Sequence, residues 1–229
     1  MAIKKKKVTR KQLLKEPDEF LSLSSRLFQF ALEHKYHLLA ALGGILLVVL
    51  TVSGIRYYSQ QRAGEAFSLL EKGRLKYQTL MAQGDARKAY LDVQNDFEKI
   101  IADYTDKTGG KLARVAYANI CYRGGESDKA ITLYEQALSD FDDPFYRNII
   151  LNGLGYAYEE KRDLQKAVEY FEKITAGSDP VFKGEARYNL GRLYAALGDT
   201  QKSRAAYQEV ISKSPDSIYI NLVREKVGQ

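Results

Sequence analysis

Asn152-Gly153-Leu154-Gly155-Tyr156-Ala157-Tyr158 and Tyr188-Asn189-Leu190-Gly191-Arg192-Leu193-Tyr194 share the pattern Leu-Gly-x-x-Tyr, and their leucines stand 36 residues apart (190 − 154). Nine residues after the last tyrosine of each stretch comes a small residue, Ala167 or Ser203. Four further on is an aromatic, Phe171 or Tyr207, and three beyond that an aliphatic, Ile174 or Val210. Pro180 and Pro215 close the two units. A weaker copy precedes them. Ala130, Tyr134 and Ala137 occupy its small–aromatic–small sites, and Ala118, Tyr117 and Cys121 stand at the glycine, leucine and tyrosine sites, with Pro144 ending the unit late. Self-similarity at such a period is the signature of a stacked repeat architecture.

The spacing has a physical cause. Apolar residues recur at three- and four-residue intervals, as on one face of an α-helix. Polar or glycine-rich breaks fall at Arg123-Gly124-Gly125-Glu126, Lys161-Arg162-Asp163 and Leu197-Gly198-Asp199. Each unit therefore reads as two antiparallel helices joined by a short turn. A small residue on the first helix lets the second approach, and aromatics fill the space between units. Ser127, Asp163 and Asp199 are expected to cap the second helices.

These residues resemble the tetratricopeptide repeat, whose pattern is W-x2-L-G-x2-Y followed by A-x3-F and a closing P. The tryptophan is absent from all three copies, where Arg114, Leu151 and Arg187 stand instead. The resemblance implies an all-α, tetratricopeptide-like helical-hairpin solenoid, with three repeats over 111–217. Periods of 36 and 37 exceed the usual 34 and imply longer loops between units. Residues 59–110 lack the motif but carry two helical stripes. The first runs Ala66, Leu69, Leu70, Gly73, Tyr77, Leu80, and the second Ala89, Val93, Phe97, Ile100, Ile101, Tyr104. They are expected to form a degenerate pair capping the stack, with 106–111 (DKTGGK) as a linker into the repeats and 218–229 as a closing cap helix.

Leu38 to Ile55 reads LLAALGGILLVVLTVSGI, without a charge. As a helix these residues rise about 27 Å, and Tyr36, His37, Tyr57 and Tyr58 extend the run with interfacial side chains. Residues 36–58 are accordingly expected to be one N-terminal transmembrane helix contacting the lipid bilayer. A cleaved signal peptide would have a much shorter basic region than the 37 residues found before this run. Ahead of it, 1–35 forms a basic tail. Its residues 18–33 place Phe20, Leu23, Leu27, Phe30 and Ala31 at helical spacing behind an Asp18 cap, either as an interfacial helix or as a helix continuing into the span. Ala40 and Gly44 form a small-xxx-small pair within the span.

The formal charge of +6 is uneven. Nine Lys/Arg and four acids fall within residues 1–37, leaving 26 basic and 25 acidic residues for the rest. A near-neutral body argues against nucleic acid as a partner. The basic N-terminal side is expected to stay in the cytoplasm and the body to cross the membrane. The whole layout resembles the bacterial inner-membrane family that includes the ancillary subunit of the Sec translocon. The unit from Ala186 to Pro215 resembles the periplasmic tetratricopeptide cell-division coordinator. The resemblance implies a single-pass inner-membrane protein with a cytoplasmic N-terminus and a periplasmic C-terminal domain.

No phosphate-binding loop, zinc-ligand spacing or nucleophile constellation is present in the sequence. His34 and His37 lie at or before the span, and Cys121 is the single cysteine. No catalytic residue, cofactor or metal is expected. First helices of stacked repeats line a concave surface, and Asn119, Arg123, Asn152, Tyr156, Tyr188 and Arg192, together with Val115, are expected to form a peptide-binding groove there. Tyrosine rings suit apolar side chains, amides a peptide backbone, and guanidinium a carboxylate. Other proteins are the expected partners: exported polypeptides, or translocon or envelope components. The function expected is a scaffold or chaperone-like accessory in protein export or envelope assembly. A structural organiser of a membrane enzyme complex and an N-anchored import receptor facing the cytosol are the alternatives.

Overall fold

A computed structural model describes residues 19–228. The four-lysine run at the N-terminus and the Asp18 cap lie outside the described residues. Among these there are ten helices: α1 (Glu19–Glu33), α2 (Lys35–Met81), α3 (Ala86–Asp103), α4 (Thr108–Arg123), α5 (Ser127–Leu138), α6 (Pro144–Glu160), α7 (Leu164–Ala176), α8 (Lys183–Ala196), α9 (Thr200–Lys213) and α10 (Ile220–Val227). The chain divides into two compact units, Met1–Ser59 and Gln60–Gln229.

In the first unit α2 carries an 18-residue stretch of mean hydropathy 2.5, none of it buried. By length and composition this helix can cross a membrane. His34 alone separates α1 from α2, and the hydrogen-bond ladder passes through it. His34 N–H donates to the Phe30 carbonyl at 3.0 Å, and Leu38 N–H to that of His34 at 2.9 Å. Of the two readings of residues 18–33, a helix continuing toward the span agrees with this geometry. Leu27 and Phe28 are similarly exposed, at 67% and 66%, so apolar surface also lies beside the expected stripe.

The second unit consists of four helical hairpins and a cap. They are the C-terminal part of α2 with α3, then α4/α5, α6/α7 and α8/α9. Phe171 meets Gly155 so closely that a Cβ there would lie 2.6 Å from its ring, and Tyr207 approaches Gly191 in the same way. Both glycines stand eight residues before the N-cap of their second helix, and both aromatics eight after it (163 − 155 and 171 − 163; 199 − 191 and 207 − 199). The motif-less first pair uses the same contact one turn further from its connection. Gly73 faces the Phe97 ring, each twelve residues from Asp85 (85 − 73 and 97 − 85). This displacement hides the pair from a search for the usual spacing.

The tryptophan site is filled differently from the family pattern. Arg114 forms a buried ion pair with Asp140, just beyond α5, and also donates to Thr105 at 3.2 Å. Arg187 reaches the corresponding end of α9, donating to Glu209 at 3.2 Å and to Ser214 at 2.8 Å. A guanidinium tied to the end of its own hairpin thus stands where an indole is usual. Tyrosines join successive hairpins: Tyr117 donates to Glu98 at 3.2 Å, Tyr158 to Glu135 at 3.0 Å, and Tyr194 to Glu172. Each offers an apolar ring to the stack and a hydroxyl to its edge.

Three local expectations are corrected. Ser127 is not a cap; Glu126 holds that position without a side-chain cap bond, while the Ser127 hydroxyl donates to Glu160 at 3.0 Å. Asp163 and Asp199 do cap, accepting from Lys166 N–H at 3.2 Å and Lys202 N–H at 2.9 Å. The DKTGGK stretch is mostly helix rather than linker, because α4 begins at Thr108. Gly109 there lies so close to the backbone of α2 that a Cβ would sit 2.8 Å from Ala66. Pro144 opens α6 instead of closing a unit, next to Asp143, which accepts from Phe145 N–H at 2.9 Å. At the far end Val223 of α10 is fully buried in a cluster with Tyr207 and Val210.

Candidate polypeptide-binding groove

Residues spaced three and four apart on α4, namely Leu112, Val115, Ala116, Asn119 and Arg123, turn one face outward from the stack. Opposite them α2 presents Phe67, Leu70, Glu71, Arg74, Tyr77 and Gln78, and the start of α6 adds Tyr146 and Ile149. Together they line a groove of about 570 Å³. Its apolar wall holds two exposed rings, Phe67 at 41% and Tyr146 at 38%. Tyr146 stacks on Phe141 at 5.0 Å and meets Phe145 edge-on at 5.7 Å, and Phe145 in turn lies 6.0 Å from Phe182. The aromatic surface therefore continues past the groove toward α8.

The polar part of the groove lies at the hairpin-turn ends of α2 and α4. Arg74 is paired with Glu71 at 2.9 Å. Tyr77 is 92% buried, and no group among the described residues completes a well-aligned hydrogen bond with its hydroxyl. Burial pushes its pKa up, and the neighbouring Arg123 guanidinium opposes that shift. Arg123 is exposed and makes no ion pair among the described residues. Asn119 donates to the Val115 carbonyl at 3.0 Å and accepts from the Tyr134 hydroxyl at 2.8 Å, so it braces the wall as well as lining it.

The other residues expected in the groove are placed elsewhere. Asn152 and Tyr156 both donate to Glu185, at 3.2 and 2.7 Å, while Asn189 donates to the Tyr156 oxygen at 2.9 Å. Arg192 holds Glu159 with two bonds, at 2.6 and 2.8 Å, and also donates to Asn189 at 3.0 Å. These side chains form a polar ladder between α6 and α8. Desolvation, with the Glu185 contact, raises the Tyr156 pKa, as expected of a phenol held neutral inside such a network. Tyr188 stacks on Tyr219 at 4.4 Å and belongs to the packing of the C-terminal cap. The single stripe expected from sequence is thus divided in three, and only Asn119 and Arg123, with Val115, line the groove.

Phe67, Tyr77 and Tyr146 were not among the residues expected there. Phe67 sits one position off the buried stripe of α2, a signal visible only once its partner helix is known. Tyr77 belongs by its spacing to that stripe, and its ring is buried accordingly. Of the repeat aromatics, Tyr117 and Phe171 are fully buried, Tyr158 is 8% exposed, and Tyr194 is half-buried. Burial of Cys121 pushes its thiol up to about 12, which keeps it protonated and unreactive. No group of three or more metal-ligating side chains occurs among the described residues.

Comparison with known proteins agrees with this architecture. A tetratricopeptide repeat protein of Parabacteroides merdae superposes with a TM-score of 0.54 at 18% identity, over 69% of this chain. The match spans 58% of that protein's length. A provisionally assigned kinesin light chain of Podosopora anserina, built of nearly identical TPR-like repeats, superposes with a TM-score of 0.52 at 19% identity, covering 68% of this chain and 78% of that one. At such identities the likeness is one of fold. No curated protein matches the sequence. The model of the tetratricopeptide repeat-like domain matches residues 35–229, taking in all four hairpins, the cap and the apolar part of α2. The chain belongs to the tetratricopeptide repeat-like domain family.

Proposed function

We propose that this chain is a membrane-anchored scaffold that holds an extended segment of another polypeptide in the groove between α2, α4 and α6. The groove itself carries the reading: exposed aromatic rings along one wall and, at one end, an exposed arginine that makes no ion pair among the described residues, on a fold whose members generally bind other proteins. The apolar stretch of α2 serves as a single-pass anchor in a bacterial inner membrane, with the N-terminus in the cytoplasm and the repeats in the periplasm. In that position the protein acts as a chaperone-like accessory in protein export or envelope assembly. Support comes from the charge asymmetry about the span and from the resemblance of the whole layout to the ancillary subunit of the Sec translocon.

Site-directed photo-crosslinking in cells tests the groove. A photoreactive residue at Val115, in the groove, is expected to capture exported or envelope proteins, and one at Lys173 of α7, outside its lining, is not. Capture of the same partners from both positions, or only from the Ala40–Gly44 face of the anchor, favours the membrane-complex organiser instead.

A further inference from the structure

The two ends of the groove differ in chemistry. Phe67 and Tyr146 offer apolar surface at one end. At the other, the Tyr77 hydroxyl is buried with no well-aligned hydrogen bond, and the Arg123 guanidinium beside it makes no ion pair, both among the described residues. A buried hydroxyl without a well-aligned partner is unfavourable, so such a group in a groove wall points to a ligand atom that completes it. Arg74 is paired with Glu71 at 2.9 Å, which leaves Arg123 as the lining guanidinium without an ion pair among the described residues.

The Tyr77 hydroxyl and the neighbouring Arg123 guanidinium, which makes no ion pair among the described residues, together match a single carboxylate. Arginine presents a planar fork of donors to that group, and charge-assisted bonds of this kind are the stronger ones. Phe67 and Tyr77 are ten residues apart on α2, or about 15 Å along the helix. An extended chain covers that distance in about four to five residues. Arg123 is exposed, so the groove is open at the polar end and a bound chain can continue past it. That favours the side chain of an internal acidic residue over a chain terminus.

Resting on the groove reading above, we infer that the site selects extended polypeptide segments bearing an apolar side chain and, four to five residues away, an aspartate or glutamate. The carboxylate accepts from Tyr77 and Arg123, and the apolar side chain packs on Phe67 and Tyr146. The scaffold then prefers unfolded segments of mixed apolar and acidic character over uniformly apolar ones.

Calorimetric titration of the full chain in detergent tests this with three peptides, two of ten residues blocked at both ends and a shorter third blocked at its N-terminus only. One peptide carries a phenylalanine and, five positions later, a glutamate; the second carries glutamine there; the third ends in a free carboxylate at that position. The glutamate peptide is expected to bind about fivefold more tightly or better than the glutamine peptide, as charge-assisted bonds require. Arg123→Gln, an exposed position, should abolish the difference, Tyr77→Phe should narrow it, and Phe67→Ala should weaken both peptides alike. Equal binding of the glutamate and glutamine peptides, with Phe67→Ala still weakening both, overturns the acidic selectivity and leaves the groove reading standing. Preference for the free carboxylate over glutamate overturns it too, assigning the site to chain ends. If no peptide binds, or Phe67→Ala has no effect, the groove reading itself fails.

Discussion

Arg114 and Asp140 form an ion pair across the α4/α5 hairpin with side chains only 11% and 13% exposed, at the position where the family pattern carries tryptophan. Removing one partner leaves a buried charge without compensation, which typically costs about 3–5 kcal/mol. Asp140→Ala is therefore expected to lower the urea midpoint strongly. The double variant Arg114→Trp, Asp140→Ala should recover most of the loss, because an apolar replacement of a buried pair is often neutral. A double variant no more stable than Asp140→Ala alone would show that the site does not accept the indole.

Arg162 has φ +65°, in the left-handed region, and stands immediately before the N-cap Asp163. In the other three hairpin turns the corresponding residue is glycine: Gly84, Gly125 and Gly198 have φ between +80° and +90°. A Cβ in this conformation costs about 1 kcal/mol. Arg162→Gly should raise stability by about 0.5–1 kcal/mol, and Gly198→Ala should lower it by a similar amount. Thermal unfolding of the two variants checks the pair of signs.

A Cβ at Gly155 would lie 2.6 Å from the Phe171 ring across the α6/α7 hairpin. Gly155→Leu forces the Phe171 ring aside and is expected to cost about 1–3 kcal/mol or more. Lys161→Ala, in the adjoining turn, removes only an exposed pair with Asp128 and should stay within about 0.5 kcal/mol of the parent. Equal melting temperatures for both variants would contradict the packing.

Glu98 accepts from Lys129 at 2.6 Å, and this bond, with help from Gln94 and Tyr117, holds its pKa below the usual carboxylate value. The folded-state pKa lies below the unfolded one, so the contribution is fully present above the unfolded value of about 4.3 and is lost as pH falls through the folded one. Unfolding followed between pH 6 and 2, on the order of that range, should show a shallower acid decline for Glu98→Gln than for the parent. An unchanged slope would remove Glu98 from the set of linked groups.

Nine basic residues before the span predict the topology. A reporter active only in the periplasm, fused after Gln229, should be active, and the protein should stay in the membrane pellet after carbonate washing. Activity only from a cytoplasmic reporter would reverse the orientation. A shorter soluble product beginning near Ile55 would make the apolar stretch a signal peptide.

The helical repeats were legible because Leu-Gly-x-x-Tyr and its downstream sites are local consequences of hairpin packing. Gly155 and Phe171, or Gly191 and Tyr207, meet at a fixed distance from one turn, so their spacing along the chain records their contact. The same reasoning reached the caps Asp163 and Asp199 and the helical character of residues 59–105. It missed the cap at Glu126 by one residue, and it took Gly109 for linker because nothing local to that glycine reports the backbone of α2 beside it. The groove depended on tertiary structure for the same reason. Whether Asn119 or Tyr156 faces open space depends on what the neighbouring helix offers: α2 leaves Asn119 exposed, whereas Glu185 and Asn189 of α8 hold Tyr156. Periodicity assigned each residue to a helix face, but pairing between helices about 30 residues apart (as for Tyr156 with Glu185, separated by 29) decided which polar groups were satisfied internally and which were left facing the groove.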